Sequence, residues 1–305
     1  MSRASDSAAG LGLFGEQRPR LLRLAYRMLG SVAEAEDVLQ EAWLRWQAAD
    51  RTELREPAAF LTTVVTRLCL DQIKSARARR ESYVGAWLPE PLLDSQWVEP
   101  ATPAEDAQEI SMALMLLLER LSPLERAAFL LHDAFDIEFA EVARILGRSN
   151  EAVRRLASRA REQLQRSEVK PRYAVSERQG AELARAFRAA SLAGDIPGLQ
   201  KLLADHAVLI SDGGGLKPAA LFPVVGAGKV ARLFDRIAGK LGRDRDPAIE
   251  VVRVNGMPGF VTLEVDGTLQ TTALQIEEGR ITAIYVTRNP EKLRHVPVPA
   301  GTALQ

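Results

Sequence analysis

Four side chains that can hydrogen-bond to DNA share the free face of one predicted helix: Arg154, Arg155, Ser158 and Arg159. Apolar residues recur at helical spacing on the opposite face, which predicts that the opposite face is buried. The planar fork of arginine can bond guanine edges or phosphates through two parallel hydrogen bonds. The pattern therefore favours binding in the DNA major groove. A solvated, arginine-rich helix of an ordinary bundle is the alternative interpretation.

A second short helix precedes this one, with apolar residues at helical spacing from Phe139 to Leu146. Gly147 is predicted to end that helix, and Ser149 can cap the next one. Two short helices joined by a tight glycine turn are typical of a helix-turn-helix, whose second helix enters the major groove.

The charge distribution supports localised contacts with DNA rather than a general polycation. The 305-residue chain has 40 basic and 40 acidic residues and a formal net charge of zero. Residues 140–172 nevertheless hold nine Arg or Lys against four Glu. A second basic cluster, Lys74 to Arg80, lies far upstream, so the sequence predicts two separate basic helices.

Composition excludes several classes of protein. The single cysteine, Cys69, rules out an internal disulfide and a cysteine-based zinc site, and no other metal cluster or cofactor is expected. No stretch is apolar enough to span a bilayer, and the first ten residues lack the apolar segment of a signal peptide. A cytoplasmic protein of two or three domains, with no membrane partner, is predicted.

Residues 12–80 are predicted to form a first helical domain. Ser31 and Glu34 form a capping box that begins its second helix, and Pro57 begins its third. Asp37 and Glu41 lie along one side of the second helix. That side can dock on another protein, although a plain solvated face is the alternative.

Residues 81–107 are rich in proline and are predicted to be a linker. Because they also contain Trp87 and Trp97, we expect parts of the linker to dock on a surface. Capping boxes at Thr102–Glu105 and Ser122–Glu125 begin helices of a second all-helical domain, residues 108–168, which ends with the helix-turn-helix.

The last part of the chain, residues 176–296, changes in character. Ser176 and Asp195 are predicted to cap two helices, and β-strand patterns follow. The last four strands alternate in polarity between glycine turns and predict an antiparallel meander. Helices packed on one curved antiparallel sheet would make an α+β domain. Residues 297–305 are predicted to be a loose tail.

The order of motifs resembles that of bacterial extracytoplasmic-function (ECF) sigma factors. It runs AEDVLQEAW (35–43), FLTTVVTRLCLDQIKSARARR (60–80), then SPLERAAFLLHDAF (122–135) with the helix-turn-helix. The phrases YVGAWLPEP (83–91), SDGGGLK (211–217) and NPEKL (289–293) are similar to those of the group with a SnoaL-like C-terminal extension. The resemblance implies a multidomain fold, with two all-α sigma domains (regions 2 and 4) and an α+β cone of the NTF2/SnoaL type.

The resemblance also implies roles and partners. Asp37, Gln40 and Glu41 would bind the β′ clamp helices of core RNA polymerase, and the polymerase β flap is a further expected contact. The −10 promoter element would be contacted by the third helix, through Arg67, Asp71, Lys74 and Arg77. Leu68 stands where many relatives have an asparagine, a departure that bears on −10 specificity. The recognition helix would read the −35 element through Arg154, Arg155, Ser158 and Arg159.

In this group the extension is thought to control sigma activity. The residues expected to make regulatory contacts come from the linker, the DGGG turn and the NPEKL segment: Trp87, Asp212, Gly213, Gly214, Gly215, Asn289, Pro290, Lys292 and Leu293. Three successive glycines allow backbone angles closed to other residues and a close approach of another chain. A flexible loop is the alternative. A small-molecule ligand in the cone is a candidate partner.

Two other function classes stay open from the residues alone. The chain could be a ligand-sensing helix-turn-helix regulator, although the AEDVLQEAW helix argues against it. It could also be a SnoaL-type enzyme with a DNA-binding appendage, using Asp205, His206 and Asp212. VGAGKV (225–230) fails as a phosphate loop because Pro223 and Val230 replace required residues. We therefore predict a non-enzymatic sigma factor.

Overall fold

The computed structural model describes residues 2–50, 56–81, 83–94, 111–166, 176–242, 248–264 and 266–299. The chain divides into two compact units. Of the described residues, the helical unit contains 2–50, 56–81 and 115–166, and the sheet unit contains 83–94, 111–114, 176–242, 248–264 and 266–299. Much of the predicted linker lies outside the described residues, including Trp97 and the Thr102–Glu105 capping box. The end of the predicted tail, residues 300–305, also lies outside them.

The helices of the first 170 residues are α1 (Ser2–Leu29), α2 (Val32–Ala48), α3 (Pro57–Glu81), α4 (Met112–Leu118), α5 (Pro123–Phe129), a π-helical turn (Leu130–Ala134), α6 (Phe139–Leu146) and α7 (Asn150–Arg166). Their starts follow the predicted caps. Ser31 Oγ accepts from the Glu34 amide at the start of α2. Both hydrogen bonds of the Ser122–Glu125 capping box are present before α5.

The helices of the two predicted sigma domains pack together inside the helical unit, where α3 contacts both α5 and α6. Arg126 of α5 is 2% exposed, and its guanidinium donates to Met28 O (2.6 Å) and to Glu119 (2.7 Å). Burial lowers the pKa of Arg126 to about 10. Arg20 and Arg27 of α1 lie over the Phe135 ring. Arginine side chains of α1 and α5 therefore help to join the two predicted sigma domains.

The sheet unit holds α8 (Glu177–Ala193), α9 (Ile196–Leu202), α10 (Ala227–Leu241) and six strands: β1 (Leu203–Asp212), β2 (Val224–Val225), β3 (Ala248–Val254), β4 (Met257–Leu263), β5 (Leu269–Glu277) and β6 (Arg280–Thr287). The strand order is β2-β1-β6-β5-β4-β3. A short 3-10 turn, Pro290–Leu293, follows β6. The helices and one sheet face enclose a core around Phe187, Leu199, Val230 and Leu274.

The predicted meander is observed, since β3, β4, β5 and β6 pair antiparallel in order. The sheet as a whole is mixed rather than antiparallel, because β1 pairs parallel with β6. Side-chain alternation identifies a strand but does not say which strand it will neighbour. The stretch ALFPVV (220–225) forms strand only at Val224–Val225, after Pro223, whose ring nitrogen cannot donate to a ladder. The predicted arrangement, helical domains followed by an α+β domain, is therefore observed.

Cys69 is fully buried within α3, where desolvation raises the pKa of its thiol, as fits a packing residue. Among the described residues, no helix is both long enough and apolar enough to cross a membrane.

Candidate nucleic-acid interface and linker clasp

The predicted pair of short helices is present as α6 and α7. Gly147 ends α6 in the left-handed conformation (φ +61°), which glycine adopts without strain. Ser149 Oγ accepts from the Ala152 amide (3.2 Å) and so caps α7. The sequence therefore sets both the turn and the direction in which α7 leaves it.

One face of α7 is exposed and the other is buried. The recognition face consists of the four exposed residues predicted from the sequence: Arg154, Arg155, Ser158 and Arg159. Val153, Ala157 and Ala160 are buried behind it. Arg155 pairs with Glu151 one turn earlier, and Ser158 donates to Glu162 (3.2 Å). The face can therefore present guanidinium groups to phosphates or base edges.

The predicted −10 residues are only partly described. Arg67 is exposed on α3, and its Nε donates to Ile145 O on α6 (3.3 Å). Asp71 is exposed one turn further on. The side chains of Lys74 and Arg77 lie outside the described part of the structure. Within the helical unit, the structure therefore places Arg67 against the helix-turn-helix.

The predicted polymerase-binding residues lie on the free side of α2. Asp37 and Gln40 are exposed, and half-buried Glu41 accepts from Arg45 (2.8 Å). Leu44, 53% exposed, extends the same side by one turn. The sequence analysis did not include Leu44 in the predicted polymerase-binding side, although its helical spacing from Asp37 and Gln40 places it there. An exposed leucine beside acidic and amide groups adds apolar contact area to this face.

A buried ion pair lies at the centre of the sheet unit's linker-binding site. The side chains of Asp212 and Lys292 are 0% and 9% exposed, and Lys292 Nζ lies 2.7 Å from Asp212 Oδ2. Asp212 also accepts from Tyr83 Oη (2.5 Å), from the Leu88 amide (2.9 Å) and from the Gly214 amide (3.0 Å). These donors satisfy the buried carboxylate, which would otherwise be costly to desolvate.

The linker closes over the ammonium group of that pair. Lys292 Nζ lies 4.8 Å from the Tyr83 ring centroid and 4.3 Å from that of Trp87, and it donates to Leu88 O. Asn289 Nδ2 donates to Tyr83 Oη (2.8 Å). Burial and the hydrogen bond to Asp212 raise the pKa of Tyr83 above its usual range. We call Asp212, Asn289 and Lys292, with Tyr83 and Trp87, the linker clasp.

The DGGG turn is packed too tightly for side chains. A Cβ on Gly213 would lie 2.0 Å from Lys217 O, and one on Gly214 would lie 2.3 Å from Asn289 Nδ2. Gly214 and Gly215 also have positive φ, and Gly215 faces Val84 of the linker. The glycines therefore give the linker and Asn289 room to reach Asp212. Of the other predicted contact residues, Pro290 is exposed and begins the 3-10 turn, while Leu293 is buried.

A second attachment of the linker, which the sequence analysis missed, lies at the β3–β4 turn. Leu92 and Asn255 exchange two hydrogen bonds, from the Asn255 amide to Leu92 O (2.7 Å) and from the Leu92 amide to Asn255 Oδ1 (3.1 Å). Arg253 pairs with Asp94 (2.9 Å). The Asn255–Gly256 pair signals only a hairpin turn, so no sequence pattern pointed to this contact.

The residues considered for catalysis do not form one group. Asp205 and His206 are both exposed at the start of β1, whereas Asp212 is buried in the clasp. No cluster of metal-ligating side chains occurs in the part of the chain that the structure describes.

Comparison with known proteins identifies both helical regions. The family model for Sigma-70 region 2 matches residues 13–79, and the model for Sigma-70 region 4 matches residues 111–164. These matches favour a sigma factor over both a ligand-sensing regulator and an enzyme with a DNA-binding appendage.

The chain is similar to curated relatives over most of its length and theirs. The chain is 38% identical to "ECF RNA polymerase sigma factor SigJ" of Mycobacterium tuberculosis H37Rv, over 93% of each chain. It is 35% identical to "Probable ECF RNA polymerase sigma factor SigI" of the same species, over 90% of this chain and 92% of the relative. The crystal structure of the M. tuberculosis SigJ protein matches with a TM-score of 0.74 and 36% identity, over 93% of this chain and 98% of that one.

Proposed function

This chain belongs to the extracytoplasmic-function RNA polymerase sigma factors, and from that premise we propose that its C-terminal extension controls transcription by holding the linker between regions 2 and 4. A sigma factor directs promoter-specific transcription initiation by RNA polymerase. The observation that carries the proposal is the linker clasp, in which a buried Asp212–Lys292 pair binds Tyr83, Trp87 and Leu88.

The two helical regions divide the contacts with polymerase and promoter. Region 2 binds core polymerase at the β′ clamp helices through the exposed side of α2, with Leu44 beside Asp37 and Gln40. Its helix α3 meets the −10 element. Region 4 lies at the β flap and reads the −35 element with the recognition face. Two weak DNA contacts joined through polymerase suit a chain of zero net charge.

The docked linker limits how far the two regions can separate. The twelve residues 83–94 are attached at the clasp and at Asn255. Fully extended, they would span about 40 Å, at 3.3–3.6 Å per residue. Within the helical unit, Arg67 of region 2 donates to Ile145 O of region 4. Releasing the linker supplies the chain length that lets region 4 leave region 2 and meet its own promoter element.

Replacing Gly214 with alanine tests the proposal, because it opens the clasp without removing a charge. The positive φ costs alanine about 1–2 kcal/mol, and its Cβ would meet Asn289 Nδ2 at 2.3 Å. We expect faster protease cleavage of the linker in the full chain. We also expect a changed rate of promoter-specific transcription with core polymerase.

Gly239→Ala is the matched control, because Gly239 lies in α10 and a Cβ there meets nothing within 4 Å. It should leave linker cleavage and transcription as in the wild type. If the linker of the G214A protein is cleaved faster than that of the wild type but its transcription rate is unchanged, control by the extension is overturned. Unchanged cleavage would show that the clasp does not hold the linker.

Replacing Leu44 with glutamate should weaken binding to core polymerase by about 10-fold or more, because a buried interface position loses apolar area and gains an unpaired charge. Val225→Glu changes an apolar residue of nearly equal exposure in β2 of the sheet unit, 52% against 53%, and should bind core polymerase normally. The measurement is a titration of labelled core polymerase with each full-length protein. Equal affinity for L44E and wild type would remove Leu44 from the polymerase-binding face.

A small-molecule ligand of the extension stays a proposal, and a groove of about 520 Å³ lined by Val84, Gly215 and Leu221 offers it a place beside the linker. The exposure of Asp205 and His206 supports a regulatory rather than a catalytic extension. A partner of core polymerase and promoter DNA works in the cytoplasm.

A further inference from the structure

Arg154 differs from the other arginines of the recognition face in how its side chain is held. Its Nε donates to Asn150 Oδ1 (2.9 Å), one turn earlier on α7. Its guanidinium carbon lies over the Phe139 ring, 4.6 Å from the centroid. Arg155, by contrast, pairs with the carboxylate of Glu151, an exposed ion pair that a phosphate can replace.

The Phe139 ring is held in place by a further neighbour, His132. Phe139 is the first residue of α6, and the His132 ring stacks on it with centroids 3.6 Å apart and planes 29° apart. Nδ1 of His132 donates to Ile137 O (2.9 Å), which fixes the imidazole ring. Three groups from three elements therefore form one stack: the His132 ring, the Phe139 ring and the Arg154 guanidinium.

This arrangement leaves one edge of the arginine fork available. Nε is donated to Asn150 and one flat face covers Phe139, while in the described residues the two Nη groups donate to no acceptor. Those two groups form the edge that bonds guanine O6 and N7 bidentately in the major groove. A side chain already held in position loses less rotamer freedom when that bond forms.

We propose that Arg154 reads a guanine in the −35 element, and that Phe139 and Asn150 are positioning residues that set this preference. The inference rests on the proposed role of the recognition face and adds to it the base that is read. Arg155 then contributes mainly phosphate contact, which positions the helix without selecting sequence. Phe139 acts through Arg154 and does not itself touch a base.

The test is selection of promoter DNA by the complete holoenzyme. Full-length protein and core polymerase are incubated with duplexes that carry a randomised −35 element and a fixed −10 element, and the bound DNA is sequenced. The wild type should prefer guanine at one −35 position by about 5- to 150-fold. Arg154→Ala should remove the preference at that position and leave the others.

Two variants then test the positioning residues. Phe139→Leu keeps an apolar side chain but removes the ring, and Asn150→Ala removes the acceptor of an exposed side chain. Each should lower the guanine preference about 2- to 5-fold at the same position, as expected for a cation–π contact or a single hydrogen bond. Phe139→Tyr keeps the ring face and should restore the preference. Phe222→Ala, at a phenylalanine that is 80% exposed in the sheet unit, is the control.

The outcomes separate the two levels of the proposal. If R154A loses the guanine preference while F139L and N150A keep it, the positioning role is wrong and the reading role stands. A uniform loss of affinity in R154A, with preferences intact, would make Arg154 a phosphate contact and overturn the inference. If R154A changes neither affinity nor preference, the proposed role of Arg154 in the recognition face fails as well.

Discussion

Lys292→Met should destabilise the sheet unit by about 3–5 kcal/mol, the usual cost of removing one partner of a buried ion pair. The substitution leaves the Asp212 carboxylate, 0% exposed, without its counter-charge. It also removes the cation that lies against Tyr83 and Trp87, so the linker is no longer held to the 3-10 turn. The measurement is the free energy of unfolding of the full chain in urea, with linker cleavage followed in parallel.

The reason for this effect can be checked with a second substitution. Asp212→Asn in the K292M background removes the uncompensated charge and keeps an oxygen that can accept from Tyr83 and the Gly214 amide. The double variant should therefore be more stable than K292M alone. Arg178→Ala breaks an exposed pair with Glu182 and should cost at most about 0.5 kcal/mol. A K292M protein within 1 kcal/mol of wild type, a margin about equal to the cost of breaking a surface ion pair, would show that the clasp is not a major source of stability.

The second large effect is expected at the recognition face. Replacing Arg155 and Arg159 together with alanine should lower holoenzyme affinity for a promoter with a −35 element by about 10- to 100-fold, a loss of about 1.4–2.8 kcal/mol for the two guanidinium contacts together. Both side chains are exposed on α7, so their loss leaves the buried face of the helix intact. The salt dependence of promoter binding should become shallower by about one unit for each phosphate that is no longer neutralised.

The matched control removes the same charge elsewhere. Arg178 and Arg185 are exposed on α8 of the sheet unit, and Arg178 pairs with a glutamate one turn away, as Arg155 does. R178A/R185A should bind and transcribe the promoter as the wild type does. Equal affinity of R155A/R159A and wild type, at several salt concentrations, would show that α7 does not contact the −35 element through these arginines.

Local structure followed directly from the sequence wherever one short stretch supplies all the partners. Ser31, Ser122 and Ser149 each cap the helix predicted for them, because a side-chain acceptor and its amide donor lie three residues apart. Gly147 ends α6 for a similarly local reason. The buried and exposed faces of α7 are likewise set by helical spacing alone.

The contacts of the linker clasp and of the recognition face depend partly on residues that are far apart in the sequence. The DGGG turn and NPEKL segment were recognisable as motifs, but the Asp212–Lys292 pair joins residues 80 positions apart. The stack on Arg154 requires the π-helical turn, α6 and α7 to meet, which no single helical pattern predicts. The helical spacing of Leu44 was a usable signal, whereas the Leu92–Asn255 contact gave none.

The sequence by itself determined the helices, their caps, the meander of strands, the recognition face and the family, because each depends on residues near one another or on motifs in order. Only the tertiary structure decided that β1 joins the sheet beside β6, that the linker lies on the sheet unit, and that Arg67 meets region 4. Those features join parts of the chain far apart in sequence. Their partners are chosen by packing and by the need to pair buried charges, which periodicity does not record.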